Sequence, residues 1–372
     1  MKDGEVLISF VIPMWNRENT ICYCLDSILC QSLACSFEII IVDDASIDKS
    51  NFIVSDISTI NADTCRPLKQ SEYANEMPET IRLFKSLSLD KELQIRSRIK
   101  LITLHLHQGA AVARNIGIEN SIGKYLWFVD SDDFIANRSL SIIKESVSNQ
   151  TIDILRFSKV NFNSNSPSAA YVLNEYINKP KLKYINGIND LMYILQYGSV
   201  WNALFNREFV KDSRFSSNFS YSEDSLFSWQ VTLRAQKIAY LDAPLYAYML
   251  TEGSLTSTKP LIRFKCYIKV VEEYIEAIKT SVLSDEVVKC LINECEWRIY
   301  CHAFYTYNYT EITSDMWKIW YDAYYSVMVN NSLRPQYKRI LSKILFTFRI
   351  NALFILIFSI IRRFRAKNKF YG

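Results

Sequence analysis

The chain has 372 residues, of which 49% are hydrophobic and 22% charged, with only 8 glycines and 8 prolines. That composition suits one large globular domain plus a smaller one, and it excludes collagen-like, low-complexity and disordered classes. The formal net charge of +4 conceals an asymmetry: after Asp322 there are ten Lys and Arg and no acid, so residues 1–322 carry 33 basic against 39 acidic residues, net −6. A basic tail on an acidic body argues against nucleic acid as a partner and for an anionic surface met by the tail.

In chain order, "VLISFVIPM" (6–14) is a continuous apolar run, as expected of a strand covered on both faces. Asn19 and Thr20 are cap candidates for a helix presenting Ile21, Leu25, Ile28 and Leu29. "FEIIIVDD" (37–44) is a second strand ending in acid, and the polar, irregular stretch 51–98 reads as one helix plus a surface insertion. "IKLITLHL" (99–106) is a third strand, "AAVARNIGIENS" (110–121) a helix entered through Gly109, and "KYLWFVD" (124–130) a fourth strand. Strands alternating with helices predict an α/β fold of Rossmann-like type, a mostly parallel sheet flanked by helices.

Further on, "IDILRFSKVNF" (152–162) returns to strand, and "VWNALFNREFV" (200–210) mixes aromatic and polar residues. "YSEDSLFSWQVTLRA" (221–235) predicts a helix capped by Ser222, and "KIAYLDAPLYAYML" (237–250) reads as strand, turn, strand. From about 260 to 330 the pattern is helical and rich in Tyr and Trp. The expected organisation is a sheet domain over 1–250, a helical region over 251–335 and a basic amphipathic tail over 336–372. Arg349 and Asn351 interrupt the apolar stretch of that tail. An interfacial helix in the lipid headgroup layer is preferred to a membrane span or a buried domain helix.

The nine cysteines are odd in number and form no CxxC pair, and no signal-peptide pattern precedes the first strand. Free thiols in a reducing, cytoplasmic setting are expected. Cys22-x-Cys24 lies on a helical pattern without a nearby histidine, so it is read as packing rather than as a metal pair. Most of the 23 Tyr and 21 Phe are read as core, a minority as stacking platforms for sugars.

Ligands of open α/β sheets bind beyond the carboxyl ends of the strands. The first strand ends near Pro13, Asn16 and Glu18, the second at Asp43 and Asp44, the fourth at Asp130, Asp132 and Asp133. Turn formation and capping are the plain alternative for any one of these acids. Asp130-Ser-Asp132, with no basic residue in "WFVDSDDF" (127–134), sets two carboxylates side by side. Such a pair repels unless a cation neutralises it. Mg2+ or Mn2+ meets that need, with substrate phosphate oxygens and water completing its shell.

Four segments taken together, "SFVIPMWNRENTICYCLDSILCQS", "FEIIIVDDASIDKS", "HLHQGAAVARNIGIENSIGKYLWFVDSDDF" and "YSEDSLFSWQ", resemble in order and spacing the inverting nucleotide-sugar glycosyltransferases of family two, of GT-A fold, and the resemblance covers about residues 6–250. It implies that Pro13, Asn16 and Glu18 line a nucleotide pocket and that Asp43 and Asp44 contact uracil and ribose. It places Gly109 and Arg114 near the nucleotide and donor sugar. It turns Asp130 toward ribose and sugar hydroxyls and Asp132 toward the metal, and makes Asp224 of Glu223-Asp224 the catalytic base. The implied partners are a UDP-sugar donor and a growing glycan acceptor. The tail adds a lipid-linked acceptor at the inner face of the cell membrane. Two departures stand out: His107-Gln108-Gly109 replaces the family's usual Asn-x-Gly, and 51–98 is longer than the usual connection.

The residues suit the chemistry on their own terms. A metal stabilises a leaving diphosphate, and one carboxylate on the opposite face takes the proton of an attacking hydroxyl, which inverts the anomeric carbon. Alone, Glu223-Asp224 would read as acids at a helix N-terminus. A haloacid-dehalogenase-type phosphohydrolase leaves the VDD and Ala-Arg-Asn segments unexplained and puts Phe134 where Thr or Val is usual. An inactive, glycan-binding relative on the same fold would lack a metal ligand or a base, and both are present. With no Rossmann fingerprint and no glycine-rich P-loop, NAD and ATP chemistry have no support in the sequence.

Overall fold

The first strand, β1 (Ile8–Met14), is buried along its whole length, as the centre of a two-faced sheet requires. Its side chains alternate: Phe10 and Ile12 join one apolar layer and Val11 the other. In the computed structural model, residues 5–31, 34–58, 96–162, 180–186, 190–191, 194–195, 198–249 and 260–308 are described. The tail over 336–372 and most of the 51–98 insertion lie outside the described residues. The chain divides into two units, 1–257 and 258–372.

In the first unit β1 pairs in parallel with β2 (Phe37–Asp43) and with β4 (Tyr125–Phe128), and β2 pairs in parallel with β3 (Ile99–Thr103). Strands β5 (Phe134–Ile135), β6 (Ile154–Phe162), β7 (Leu182–Tyr184), β8 (Ala203–Asn206) and β9 (Ile238–Met249) complete a sheet ordered β3-β2-β1-β4-β8-β6-β9-β5, with β7 on β9. The expected parallel character holds for the first four strands. Beyond β4 the sheet is mixed, with β4–β8, β8–β6, β9–β5 and β9–β7 antiparallel and only β6–β9 parallel.

Helices α1 (Ile21–Leu29), α2 (Ser50–Ser58) and α4 (Ser139–Ser146) cover one face, over Phe10, Ile39, Ile41 and Trp127. Helix α3 (Ala110–Glu119) and α6 (Glu223–Arg234) cover the other, over Val11, Val42, Leu126 and Phe128. Helix α3 lies very close to β1: a Cβ on Gly117 would fall 2.1 Å from Val11 Cγ1. The short α5 (Arg207–Val210) is capped by the Asn206 side chain, which accepts from Phe209 N–H. The second unit holds α7 (Pro260–Lys279) and α8 (Asp285–Asn308), which contact each other. Among the described residues no helix is long and apolar enough to cross a membrane.

Several sequence expectations change. Thr20 and Ser222 occupy N-cap positions, yet neither side chain makes a cap bond, and Ser222 is left-handed with φ 63°. The third and fourth strands end earlier than expected, at Thr103 and Phe128. Residues 238–249 form one strand, not strand, turn, strand, because β6 follows it throughout, with register shifts beside Ser158 absorbing the irregularity.

Candidate active site

The carboxyl ends of β1, β2 and β4 open onto a common edge, where two loops are laced together. Asn16, left-handed at φ 52°, donates its N–H to Ser46 Oγ (2.9 Å), and its Oδ1 accepts from Ile47 N–H (2.9 Å). Arg17 N–H donates to Ser50 Oγ (2.6 Å) and Glu18 N–H to Asp48 Oδ2 (3.0 Å). Lys49 N–H donates to Glu18 Oε2 (3.0 Å). Burial would raise the Asp48 carboxyl, but hydrogen bonds from Ser50 and Glu18 hold it below the ordinary range. Asn16 and Glu18 thus each tie the two loops together through a side-chain oxygen, and Pro13 is buried within β1.

The second-strand acids are also engaged. Asp43, buried, accepts from Ser46 N–H (3.1 Å) and Asn51 Nδ2 (2.7 Å). Asp44, buried, accepts from the N–H groups of Gln108 and Gly109, both at 2.7 Å, and lies 2.8 Å from His107 Nδ1. Gly109 has φ 92°, a conformation that favours glycine, and it lets both N–H groups converge on one carboxylate. His107 is therefore held by Asp44. Its ring stacks on the exposed indole of Trp15, with centroids 4.1 Å apart.

After β4 the chain makes a tight acidic turn, with Asp133 N–H bonded to Asp130 O at 3.0 Å. Asp133 is buried and accepts from Tyr246 Oη (2.7 Å) and Met249 N–H (2.8 Å) of β9. The same Tyr246 oxygen accepts from Asp130 N–H at 3.1 Å. Burial, with Asp130 and Asp132 adding to it, pushes the Asp133 carboxyl well above its usual range. Asp133 is thus the foot of the turn, and Asp130 and Asp132 remain partly exposed.

Sequence distance hides the counter-charges. Arg114 of α3, nearly fully buried, donates from Nη2 to Asp130 Oδ1 (2.9 Å) and from Nη1 to Glu223 Oε1 (2.8 Å). Burial alone would weaken its charge; Asp130, Glu223 and Asp224 outweigh that and hold the guanidinium firmly protonated. Arg17 Nη2 lies 3.1 Å from Asp132 Oδ2.

Next to Glu223 at the start of α6, Asp224 accepts from Ser225 N–H (2.8 Å). Its carboxyl is pushed up to about 7 by burial first, then by Glu223 and Asp130, with Arg114 opposing. Under this helix the buried Arg156 donates to Ser199 O (2.6 Å) and to the Ser228 hydroxyl, and burial lowers it to about 9. Sequence reasoning passes over Arg17, Trp15, Tyr246 and Arg156. Arg17 is the most accessible of these to such reasoning, as the one cation between two motif residues.

The donor set fits Mg2+ or Mn2+. Burial raises the Asp132 carboxyl above its ordinary range, with Arg17 opposing and Asp130 adding to the rise. Among the described residues no three His, Cys, Asp or Glu form a metal cage. Substrate phosphates and water would complete the shell, which is the usual habit of Mg2+.

Residues 9–72 and 87–214 match the family described as glycosyl transferase family 2. The uncharacterized glycosyltransferase EpsJ of Bacillus subtilis (strain 168) is 27% identical over 264 residues, 67% of this chain and 63% of that protein. Glycosyltransferase GlyA of Streptococcus pneumoniae serotype 4 is 26% identical, and the match spans 67% of this chain and 31% of GlyA. The chain thus spans less than two thirds of the length of these two relatives. The Escherichia coli UDP-Glc:alpha-D-GlcNAc-diphosphoundecaprenol beta-1,3-glucosyltransferase WfgD is 27% identical, covering 68% of this chain and 81% of WfgD. Among solved structures, S. aureus TarS 1–349 in complex with UDP-GlcNAc has a TM-score of 0.58 at 18% identity, over 86% of this chain and 79% of that one. That likeness establishes the GT-A fold.

Proposed function

The chain belongs to glycosyl transferase family 2, and from that premise we propose that it moves a sugar, with inversion, from a UDP-sugar to a hydroxyl of a growing, lipid-linked glycan in cell-surface polysaccharide synthesis. The observation that carries this reading is the bridge of Arg114 between Asp130 and Glu223. It sets Asp130 close to the Glu223-Asp224 pair, although they lie far apart in sequence.

Each side chain has work suited to its place. The exposed Trp15 indole on His107 offers a flat face to a nucleobase. Asp130, oriented by Arg114, faces ribose and sugar hydroxyls. Asp132, with Asp130 beside it, would hold the divalent cation, which when bound supplies Lewis-acid stabilisation of the departing diphosphate. Asp224 takes the proton of the acceptor hydroxyl; a carboxyl near 7 is poised for that task at neutral pH. Glu223 orients Arg114 rather than reacting. A UDP donor is supported by the UDP-GlcNAc complex of TarS, and a lipid-diphosphate acceptor by the WfgD name. The ten basic residues after Asp322 suit an anionic inner membrane face.

The test is a donor screen with the full chain, following nucleoside diphosphate release with and without Mn2+ or Mg2+. Metal-dependent UDP release from one sugar nucleotide supports the proposal. Turnover indifferent to chelation, or preference for a donor other than UDP-linked, overturns that part of it.

A further inference from the structure

Arg17 combines a tied backbone with a partly exposed side chain. Its own N–H and those of Asn16 and Glu18 are all bonded to the 46–50 loop. Its side chain, by contrast, is 37% exposed and ends in an ion pair with Asp132 at 3.1 Å. A partly exposed pair of this kind is weak and easily exchanged. It engages Oδ2 of the very carboxylate to which the proposed function assigns the cation, so guanidinium and cation compete there. A diphosphate bound against Asp132 would offer the displaced guanidinium a better partner, because a planar fork matches phosphate oxygens in bidentate geometry.

We propose that Arg17 is a diphosphate-responsive latch: it guards Asp132 while the site is empty and transfers to the donor diphosphate when nucleotide and cation arrive together. Cation and nucleotide binding are thereby coupled, since either partner alone must work against the latch. This rests on the proposed metal role of Asp132 and adds a residue that sets the order of binding. Beyond Asp132 the Arg17 side chain makes one long bond, from Nη1 to Asn16 O at 3.4 Å, and its backbone bonds to the 46–50 loop survive side-chain replacement.

The experiment is Mn2+ binding to the full chain followed by electron paramagnetic resonance, with and without UDP, for the natural protein, Arg17→Met and Arg17→Lys. UDP affinity at saturating Mn2+ is measured alongside by calorimetry. Arg17→Met is expected to bind Mn2+ without UDP about three- to fivefold more tightly, as loss of a weak ion-pair competitor allows. It is also expected to bind UDP in Mn2+ several-fold more weakly, with Arg17→Lys between. Unchanged or weaker Mn2+ binding in Arg17→Met, or undiminished UDP affinity, overturns the latch while leaving the metal reading intact. Failure of the natural protein to hold Mn2+ even with UDP overturns both.

Discussion

Arg114 donates to Glu223 at 2.8 Å although 109 residues separate them in sequence, and the same guanidinium holds Asp130 at 2.9 Å. One buried cation therefore ties the turn after β4 to the start of the helix that carries Asp224. Among the described residues its Nε has no hydrogen-bond partner, so the two carboxylates, with the Phe215 ring 5.5 Å from its Cζ, fix its position. Replacing Arg114 by Met should leave two half-buried carboxylates without their counter-charge, at a cost of about 1–3 kcal/mol. Urea titration measures the loss. Adding Glu223→Gln should recover part of it, and strict additivity of the two changes would refute the bridge.

The proposed division of labour between Asp132 and Asp224 would separate binding from chemistry. Asp224→Asn should lower kcat by about 100-fold to 10,000-fold, the range of general-base loss, with UDP affinity in Mn2+ unchanged. Asp132→Ala should weaken Mn2+-dependent UDP binding as well as turnover. Calorimetry beside a rate assay distinguishes them, and equal binding losses in both variants would dissolve the distinction.

Acidity gives a signed prediction. Because the folded Asp224 carboxyl is raised to about 7, activity should climb with pH through that value as the base ionises. Stability runs the other way. The folded state holds the proton more tightly than the unfolded chain, where a carboxyl titrates near 4. Asp224 therefore costs stability increasingly between about pH 4 and 7. Asp224→Asn should melt higher than the natural protein at pH 8, by roughly 2 °C or more, with the gap closing toward pH 4.

Tyr246 tests the foot of the acidic turn. Tyr246→Phe removes the donor to Asp133 and the acceptor for Asp130 N–H. A loss of about 1–3 kcal/mol in unfolding free energy is expected for buried groups left short of partners. Weaker UDP binding in Mn2+ should accompany it, because the turn carrying Asp132 loses its tether. Full UDP affinity in this variant would show that the turn holds its shape unaided.

Much of this architecture is legible in the amino-acid sequence. The apolar runs that form β1 and β2 have no helical period, and helix α3 is announced by Gly109 and the Ala-Arg-Asn run. The strand-end acids fall at one edge because parallel strands share a direction. The destination of side chains is what the sequence conceals. A carboxylate at a strand end serves a loop or a ligand equally well in sequence, and the loop N–H groups that Asp44 and Glu18 accept are not legible there. The unbroken β9 is hidden because Pro244 and Asp242 suggest a turn, whereas pairing with β6 overrides local preference. Ser222 reads as a cap, but its backbone is left-handed and its hydroxyl caps nothing.

The suture between residues 16–18 and 46–50 carries a practical corollary for anyone retuning donor choice. Asn16, Glu18, Asp43 and Asp48 are stitches, and changing any of them unpicks the floor on which a nucleotide would rest. Trp15 and Arg17 stand on that floor with their side chains outside the seam, so variation can be concentrated there while the frame keeps its shape.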